Sequence, residues 1–373
     1  MDRIYLDHAA TSPLREKALE KMMPWLKDGR GNASSAHSFG REARRAVEES
    51  RETIAALIGA KPGEVYFTSG GSESDTWAIM CMPSCHCVTT AIEHHAALNA
   101  FKALEKRGIR VDRVLPGRDG AVRAEDVLDR VGPETGLVSV MTANNETGVI
   151  QPVKEIGEKL RERGIPFHTD AVQALGQIPV NADSLGCGLL SASAHKFGGP
   201  KGIGILYVRS GIRIGNLIYG GLQQRGLRPG TENPAGCVGM AAALEEAVEE
   251  MADEGKRIRE MRDSLVCLVR ERVPEAVLNG RAEGRLLCNA NIRFPGIDGS
   301  ALLMRLDMEG IAASAGSACT AGVVETSHVL TAMGLTEKEA SESIRFTLGR
   351  ENTPEEIRRT ADVISRIVHE MKA

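Results

Sequence analysis

The chain has 373 residues, 42% hydrophobic and 26% charged, values that fit a soluble globular protein and exclude a disordered, fibrous or membrane-embedded one. Lys and Arg number 46 against 50 Asp and Glu, so the formal net charge is -4 and no global basic field recommends nucleic acid or an anionic membrane as partner. No apolar run approaches the roughly 18 residues of a membrane span, and the opening Met1–Asp7 lacks the hydrophobic stretch of a secretory signal. A cytoplasmic chain with its 8 cysteines reduced is therefore expected.

Taken in chain order, the periodicity predicts an amphipathic helix over 42–58, where Ala43, Val47, Ile54, Ala55 and Ile58 share a face, ended by Gly59 and Pro62. A short buried strand over 65–68 leads into Ser69-Gly70-Gly71-Ser72, which opens another helix. The alternation repeats as strand 87–91 and helix 94–107, strand 137–142 and helix 153–163, then strand 166–169. Such alternation implies a mainly parallel sheet covered on both faces, with ligands at the carboxyl ends of its strands. After about residue 250 the texture changes to a charged helix over 254–272, a strand over 289–294 and a final helix over 354–371. Thr353 and Glu356 form a capping box there, with Pro354 at the first helical position. The expected architecture is α/β: a large domain over 13–253, and a smaller α/β domain made of 254–373 and the N-terminal 1–12.

The segment Ser191-Ala192-Ser193-Ala194-His195-Lys196 lies between a strand end and the apolar run Ile203–Val208. A lysine among small, hydroxyl and imidazole groups in a tight turn meets the needs of a pyridoxal phosphate site, where the amine condenses with the aldehyde and neighbouring donors hold the phosphate. Taken alone, this lysine also fits a solvated turn. Asp170 stands just past another buried strand, where an isolated carboxylate is costly unless a cation meets it, and a protonated pyridine nitrogen is such a cation. Helix capping is the bland alternative for Asp170. Gln173, about one turn on, would reach the ring hydroxyl. Ser69-Gly70-Gly71-Ser72 presents backbone N–H groups at a positive helix end suited to phosphate, although it fits neither the Rossmann nor the P-loop pattern. A third strand ends in Ala143-Asn144-Asn145-Glu146-Thr147-Gly148, where either asparagine also suits a turn former.

These segments, in this order and spread over nearly the whole chain, resemble the cysteine desulfurases of the NifS/IscS kind, within the pyridoxal phosphate-dependent class V aminotransferases. The resemblance runs from Tyr5-Leu6-Asp7-His8-Ala9-Ala10-Thr11 to Ser343-Ile344-Arg345-Phe346-Thr347-Leu348-Gly349-Arg350. It implies the pyridoxal phosphate fold-type I. It also implies Lys196 as the Schiff-base lysine, Ser193, His195, Gly71 and Ser72 at the phosphate, Asp170 and Gln173 at the ring, and His94 stacked on the ring face. Asn145 would lie near ring and substrate, and Arg345 would clamp the substrate carboxylate with its planar fork. Thr231 matches a residue that reaches the phosphate of the opposite subunit, implying a homodimer. Cys319, in a run of small residues, matches the cysteine that accepts the substrate sulfur as a persulfide; taken alone it also suits an inert buried thiol. The implied reaction turns L-cysteine into L-alanine, with Lys196, Cys319 and His94 in catalytic roles, and supplies sulfur to an acceptor such as an iron–sulfur scaffold or a tRNA-thiolation enzyme.

Some features depart from the family's pattern. His8 stands where asparagine is usual. The connection containing Cys81, Cys85, His86 and Cys87 is short and sulfur-rich, which suggests a metal site, but His86 and Cys87 are expected to begin a strand and point to opposite faces, so no metal is assigned. The chain ends soon after its last helix, without much of the extension by which housekeeping members dock a scaffold. Two rivals remain at this point: a selenocysteine lyase or aminotransferase of the same fold, for which Cys319 would be dispensable, and a non-enzymatic metal-binding or scaffold protein built on the cysteines.

Overall fold

Short strands, mostly buried and mixing Val, Leu and Phe with Thr, Ser and His, form a seven-stranded sheet in the computed structural model, which describes residues 3–315 and 326–373. After a short opening strand, β1 (Ile4–Tyr5), the sheet is built in chain order from β2 (Val65–Thr68), β3 (His86–Thr90), β4 (Arg110–Val114), β5 (Thr135–Ser139), β6 (Phe167–Asp170), β7 (Leu189–Ser193) and β8 (Gly204–Val208). Its spatial order is β2-β8-β7-β6-β5-β3-β4. Neighbours are parallel except at β8, which runs antiparallel to both β7 and β2. The exception has a local cause. The chain leaves β7 through the Lys196 turn and re-enters at once, with Ala194 N donating to Ile203 O at 3.1 Å, and a connection that short permits only antiparallel return.

The remaining strands are β9 (Val277–Leu278), β10 (Asn289–Arg293), β11 (Ile311–Ala312) and β12 (Ser343–Thr347). They form an antiparallel sheet in the order β12-β10-β9, while β11 pairs in parallel with β1 and so draws the N-terminus to this part of the chain.

The charged stretch expected to begin a helix at 254 is the second half of one 39-residue helix, Pro234–Arg272. Its first half is rich in buried Ala and Gly, packed with the helices Glu16–Lys27 and Ser38–Leu57, so it shows no apolar stripe of helical period. Met261, Leu265 and Val269 from its second half pack into a separate core with Ile292, Phe294 and Phe346, and Ile258 touches both cores. Residue 253 thus falls inside a helix rather than in a linker. The sequence reading also passed over β4, whose residues are mostly exposed or half-buried at the sheet edge.

Arg15 joins this long helix to the Lys196 turn. Its side chain is 5% exposed; Nε donates to Phe197 O at 3.1 Å, and the other nitrogens meet Glu246, Glu250 and Glu254 at 3.2, 2.6 and 3.2 Å. Arg15→Met is expected to lower stability by about 2–3 kcal/mol, because a buried carbonyl and three carboxylates lose their shared donor. Urea unfolding followed by tryptophan fluorescence would measure it, and wild-type stability would place the joint elsewhere.

Candidate active site

Three strand ends and one helix start converge on a cavity of about 220 Å³. Ser193 closes β7 and the short turn Ala194–Lys196 follows, so Lys196 enters the cavity from the sheet's carboxyl edge. Its Nζ donates to the carbonyls of Ala9 and Ala10 at 2.5 and 2.9 Å. Asp170 is the last residue of β6. No helix follows for it to cap; its Oδ1 accepts from Val172 N at 2.8 Å, and the carboxylate still lines the cavity. Gln173 donates to Ala9 O at 2.9 Å, the carbonyl that also receives Lys196.

At the other end of the cavity, the helix Gly71–Met80 opens without a side-chain cap, which leaves its first N–H groups directed outward. Gly70 has φ 151°, a conformation that side-chain-bearing residues rarely adopt, and a Cβ on Gly71 would come within 2.8 Å of Val172 Cγ2. Ser72, Ser193 and His195 stand around this turn. The one acid among these residues, Glu73, is lowered in pKa despite the opposing effect of burial, chiefly by hydrogen bonds from Arg228 and Ser69.

Burial governs the electrostatics. It pushes Asp170 up to about 6 and Asp75 well above the carboxylate range, the latter also raised by the charge of Asp170. Burial and then the Arg345 charge bring Lys196 down to about 8, while burial and the Lys196 charge bring both His94 and His195 down to about 4. Both imidazoles are neutral at pH 7. His94 does not sit inside the helix, as the sequence reading had it; it is the N-cap of His95–Glu105, its Nδ1 accepting from Ala96 N at 3.2 Å.

Of the residues singled out in sequence, Gly71, Ser72, His94, Asn145, Asp170, Gln173, Ser193, His195 and Lys196 line the one cavity. The two asparagines divide the work: buried Asn144 receives the N–H groups of Glu146 and Thr147 and shapes the turn, whereas Asn145 faces the cavity. Arg345 does not line it. This residue of β12 donates to Asn145 O at 2.9 Å and to Asp7 at 2.7 Å, just behind the wall. Thr231 is exposed and away from its own chain's cavity. Cys319 lies outside the described residues. His8 is buried between the Tyr5 ring, at 4.9 Å, and Gly349, where a Cβ would strike its imidazole.

Sequence reasoning missed Asp75, which is 1% exposed and lines the cavity; its Oδ1 accepts no hydrogen bond and stands 3.6 Å from His168 Nε2. Lys201 lines the adjoining hollow around Ser69–Ser72. Among the described residues, no group of three or more His, Cys, Asp or Glu side chains is placed to hold a metal ion. His86 instead binds Thr135 and Asp112.

This donor set fits pyridoxal phosphate. An uncapped helix start with hydroxyl and imidazole donors suits the phosphate, and the buried carboxylates of Asp75 and Asp170, one oxygen of Asp75 accepting no hydrogen bond, suit a ring cation. Between the two ends stands a half-buried lysine amine. Residues 4–360 match the sequence profile of the class-V aminotransferases, and the chain belongs to that family. Among similar proteins, the "Cysteine desulfurase IscS" of Dictyoglomus turgidum is 46% identical over 375 residues, covering 99% of this chain and 95% of the relative. The "Putative cysteine desulfurase IscS 1" of Bacillus subtilis is 44% identical, covering 98% of this chain and 100% of the relative. A solved "NIFS-LIKE PROTEIN" superposes with TM-score 0.93 at 37% identity, covering 99% of this chain and 100% of that one. The protein is thus a pyridoxal phosphate-dependent enzyme of the cysteine desulfurase kind, with the large-sheet α/β fold expected of it.

The Lys196 shift yields a pH test. Only the neutral amine condenses with an aldehyde, so pyridoxal phosphate uptake by apoprotein should rise about tenfold per pH unit below its pKa and level off above it. The plateau is expected from about pH 8. A rate still climbing at pH 10 would mean an ordinary, solvated lysine.

Proposed function

We propose that this chain converts L-cysteine to L-alanine and passes the sulfur to Cys319 as a persulfide, with the residues of the cavity in the roles given below. The observation that carries the reading is the half-buried Lys196 amine set between Asp170 and the donors at the start of the helix Gly71–Met80. Relatives named cysteine desulfurase and a solved structure titled "SspA in complex with cysteine", 34% identical with TM-score 0.80 and covering 94% of this chain and 100% of that one, support the substrate.

Bound pyridoxal phosphate supplies an electrophilic carbon and an electron sink. The protein's residues do the rest. Gly71, Ser72, Ser193 and His195 would hold the phosphate, Asp170 would meet the ring nitrogen with its negative charge, Gln173 would bind the ring hydroxyl, and His94 would lie against the ring. Lys196, with a pKa near 8, is poised to take the α proton and return it. Arg345 receives the substrate carboxylate beside Asn145, moving from Asp7 to do so. The Cys319 thiolate attacks the substrate sulfur: an S–S bond forms, the C–S bond breaks, and the carbon left behind gains a proton to become the alanine methyl group.

We place the work in a homodimer in which Thr231 completes the partner's phosphate site. Tyr219 and Leu222, each 89% exposed on the same stretch as Thr231, support a covered surface there. The persulfide would serve an acceptor protein, an iron–sulfur scaffold or a tRNA-thiolation enzyme. The described cysteines are all free, which supports a reducing, cytoplasmic setting. We also divide the chain into a large domain, 13–253, and a small one, 1–12 with 254–373.

Cys319→Ala should keep cofactor and bind L-cysteine yet lose alanine formation by orders of magnitude in single turnover, since water is a poor substitute for a thiolate attacking sulfur. Full turnover by this variant would favour a lyase that needs no protein persulfide. Mixed dimers of Lys196→Ala and Thr231→Ala chains should regain activity, because one site then carries both changes and the other neither. No recovery despite confirmed subunit exchange would put Thr231 in its own chain's chemistry.

A further inference from the structure

Two successive residues without glycine's freedom, Gln224 (φ 46°, ψ 48°) and Arg225 (φ 57°, ψ 31°), adopt the left-handed conformation. Such backbone persists only where its surroundings hold it, and here they do. Gln224 is 3% exposed. Its Oε1 accepts from Phe67 N and from Arg51, each at 2.9 Å, and its Nε2 donates to both carboxylate oxygens of Glu232 at 2.9 and 2.8 Å. Arg225 lies over the Tyr66 ring at 4.0 Å and donates to Val65 O at 2.6 Å.

The two ends of this amide lead to different places. Phe67 belongs to β2, the strand that runs into Ser69-Gly70-Gly71-Ser72. Glu232 is the neighbour of Thr231. A second tie runs alongside: Arg228 grips Glu73 at 2.7 and 3.0 Å, and Glu73 accepts from Ser69 N at 2.7 Å. The phosphate turn of a chain and the exposed segment that carries its Thr231 are therefore one clamped unit.

We propose that Gln224 is a positioning residue that serves both cofactors of the dimer, its own chain's by bracing β2 beneath the phosphate turn, and the partner's by presenting Thr231 through Glu232. This rests on the dimer proposed above. A single turn then couples the two cofactor sites without itself touching either cofactor.

The test uses holoenzyme heterodimers, purified with two different tags, in which one chain is wild type, and follows cofactor release after dilution from the free fraction passing a filter. With Gln224→Ala in one chain, both cofactors should leave faster than from wild type, by about tenfold, the scale of losing a buried hydrogen-bonded amide. With Glu232→Ala, a half-buried residue, one cofactor should leave fast and one at the wild-type rate, with an unchanged unfolding midpoint. A merely structural role for the turn would not divide the sites in that way. Retention of one cofactor at the wild-type rate by the Gln224→Ala heterodimer, or of both by the Glu232→Ala heterodimer, would overturn the proposal. If Gln224→Ala fails to fold, the Glu232→Ala result alone decides. Thr231→Ala serves as the control: wild-type release from both of its sites would overturn the dimer reading, whereas one fast site there with two slow sites in Glu232→Ala would overturn only the clamp.

Discussion

Lys196 carries its amine into the same buried cavity as Asp170 and Asp75, and the low dielectric there sets the protonation of all three. Desolvation penalises every charged form, so the amine gives up its proton near neutral pH and the carboxyls hold theirs longer than in water. Such a set is expensive for a fold to assemble. Its stable use is to meet a ligand with an anion at one end and a cation at the other, which is the charge layout of pyridoxal phosphate. The seven-stranded sheet can be understood as the support for that meeting: β6 ends at Asp170, β7 ends one short turn before Lys196, and β2 leads into the uncapped helix start at Gly71.

The second part of the chain contributes by reach rather than by lining. Arg345 projects from β12, grips Asp7 near the N-terminus and donates to the carbonyl of Asn145 on the large domain, so three distant stretches of sequence meet at one guanidinium. β1 pairs with β11, and Ser314 exchanges backbone hydrogen bonds with Arg345 at 3.1 and 2.6 Å, so the strand leading toward Cys319 is registered on the same arginine. In the proposed reaction, substrate recognition by Arg345 and sulfur acceptance by Cys319 would depend on that one support.

Much of the cavity was legible in the sequence because its residues sit where strands end. Polar groups immediately after apolar runs, as at Asp170, Asn145 and Lys196, have no packing reason to be there. Other features gave no such signal. Asp75 lies one turn into a helix and reads as a surface acid; only the fold reveals that this face looks into the cavity. Gln224 and Arg225 adopt the left-handed region without the Gly or Asn that usually announces it, because tertiary bonds rather than local preference hold them. The helix Pro234–Arg272 was read only in its charged half, since its first half is buried nearly all round. His94 was read as helical, but its imidazole accepts the N–H that a cap must satisfy.

The central claim, that the half-buried amine of Lys196 is the group that binds the cofactor, is tested most directly by borohydride reduction of the holoprotein followed by peptide mapping. The account predicts a pyridoxyl label on the peptide containing Lys196 and its disappearance in Lys196→Ala. A label on Lys201, which lines the neighbouring hollow, or no covalent label on cofactor-loaded protein, would contradict it.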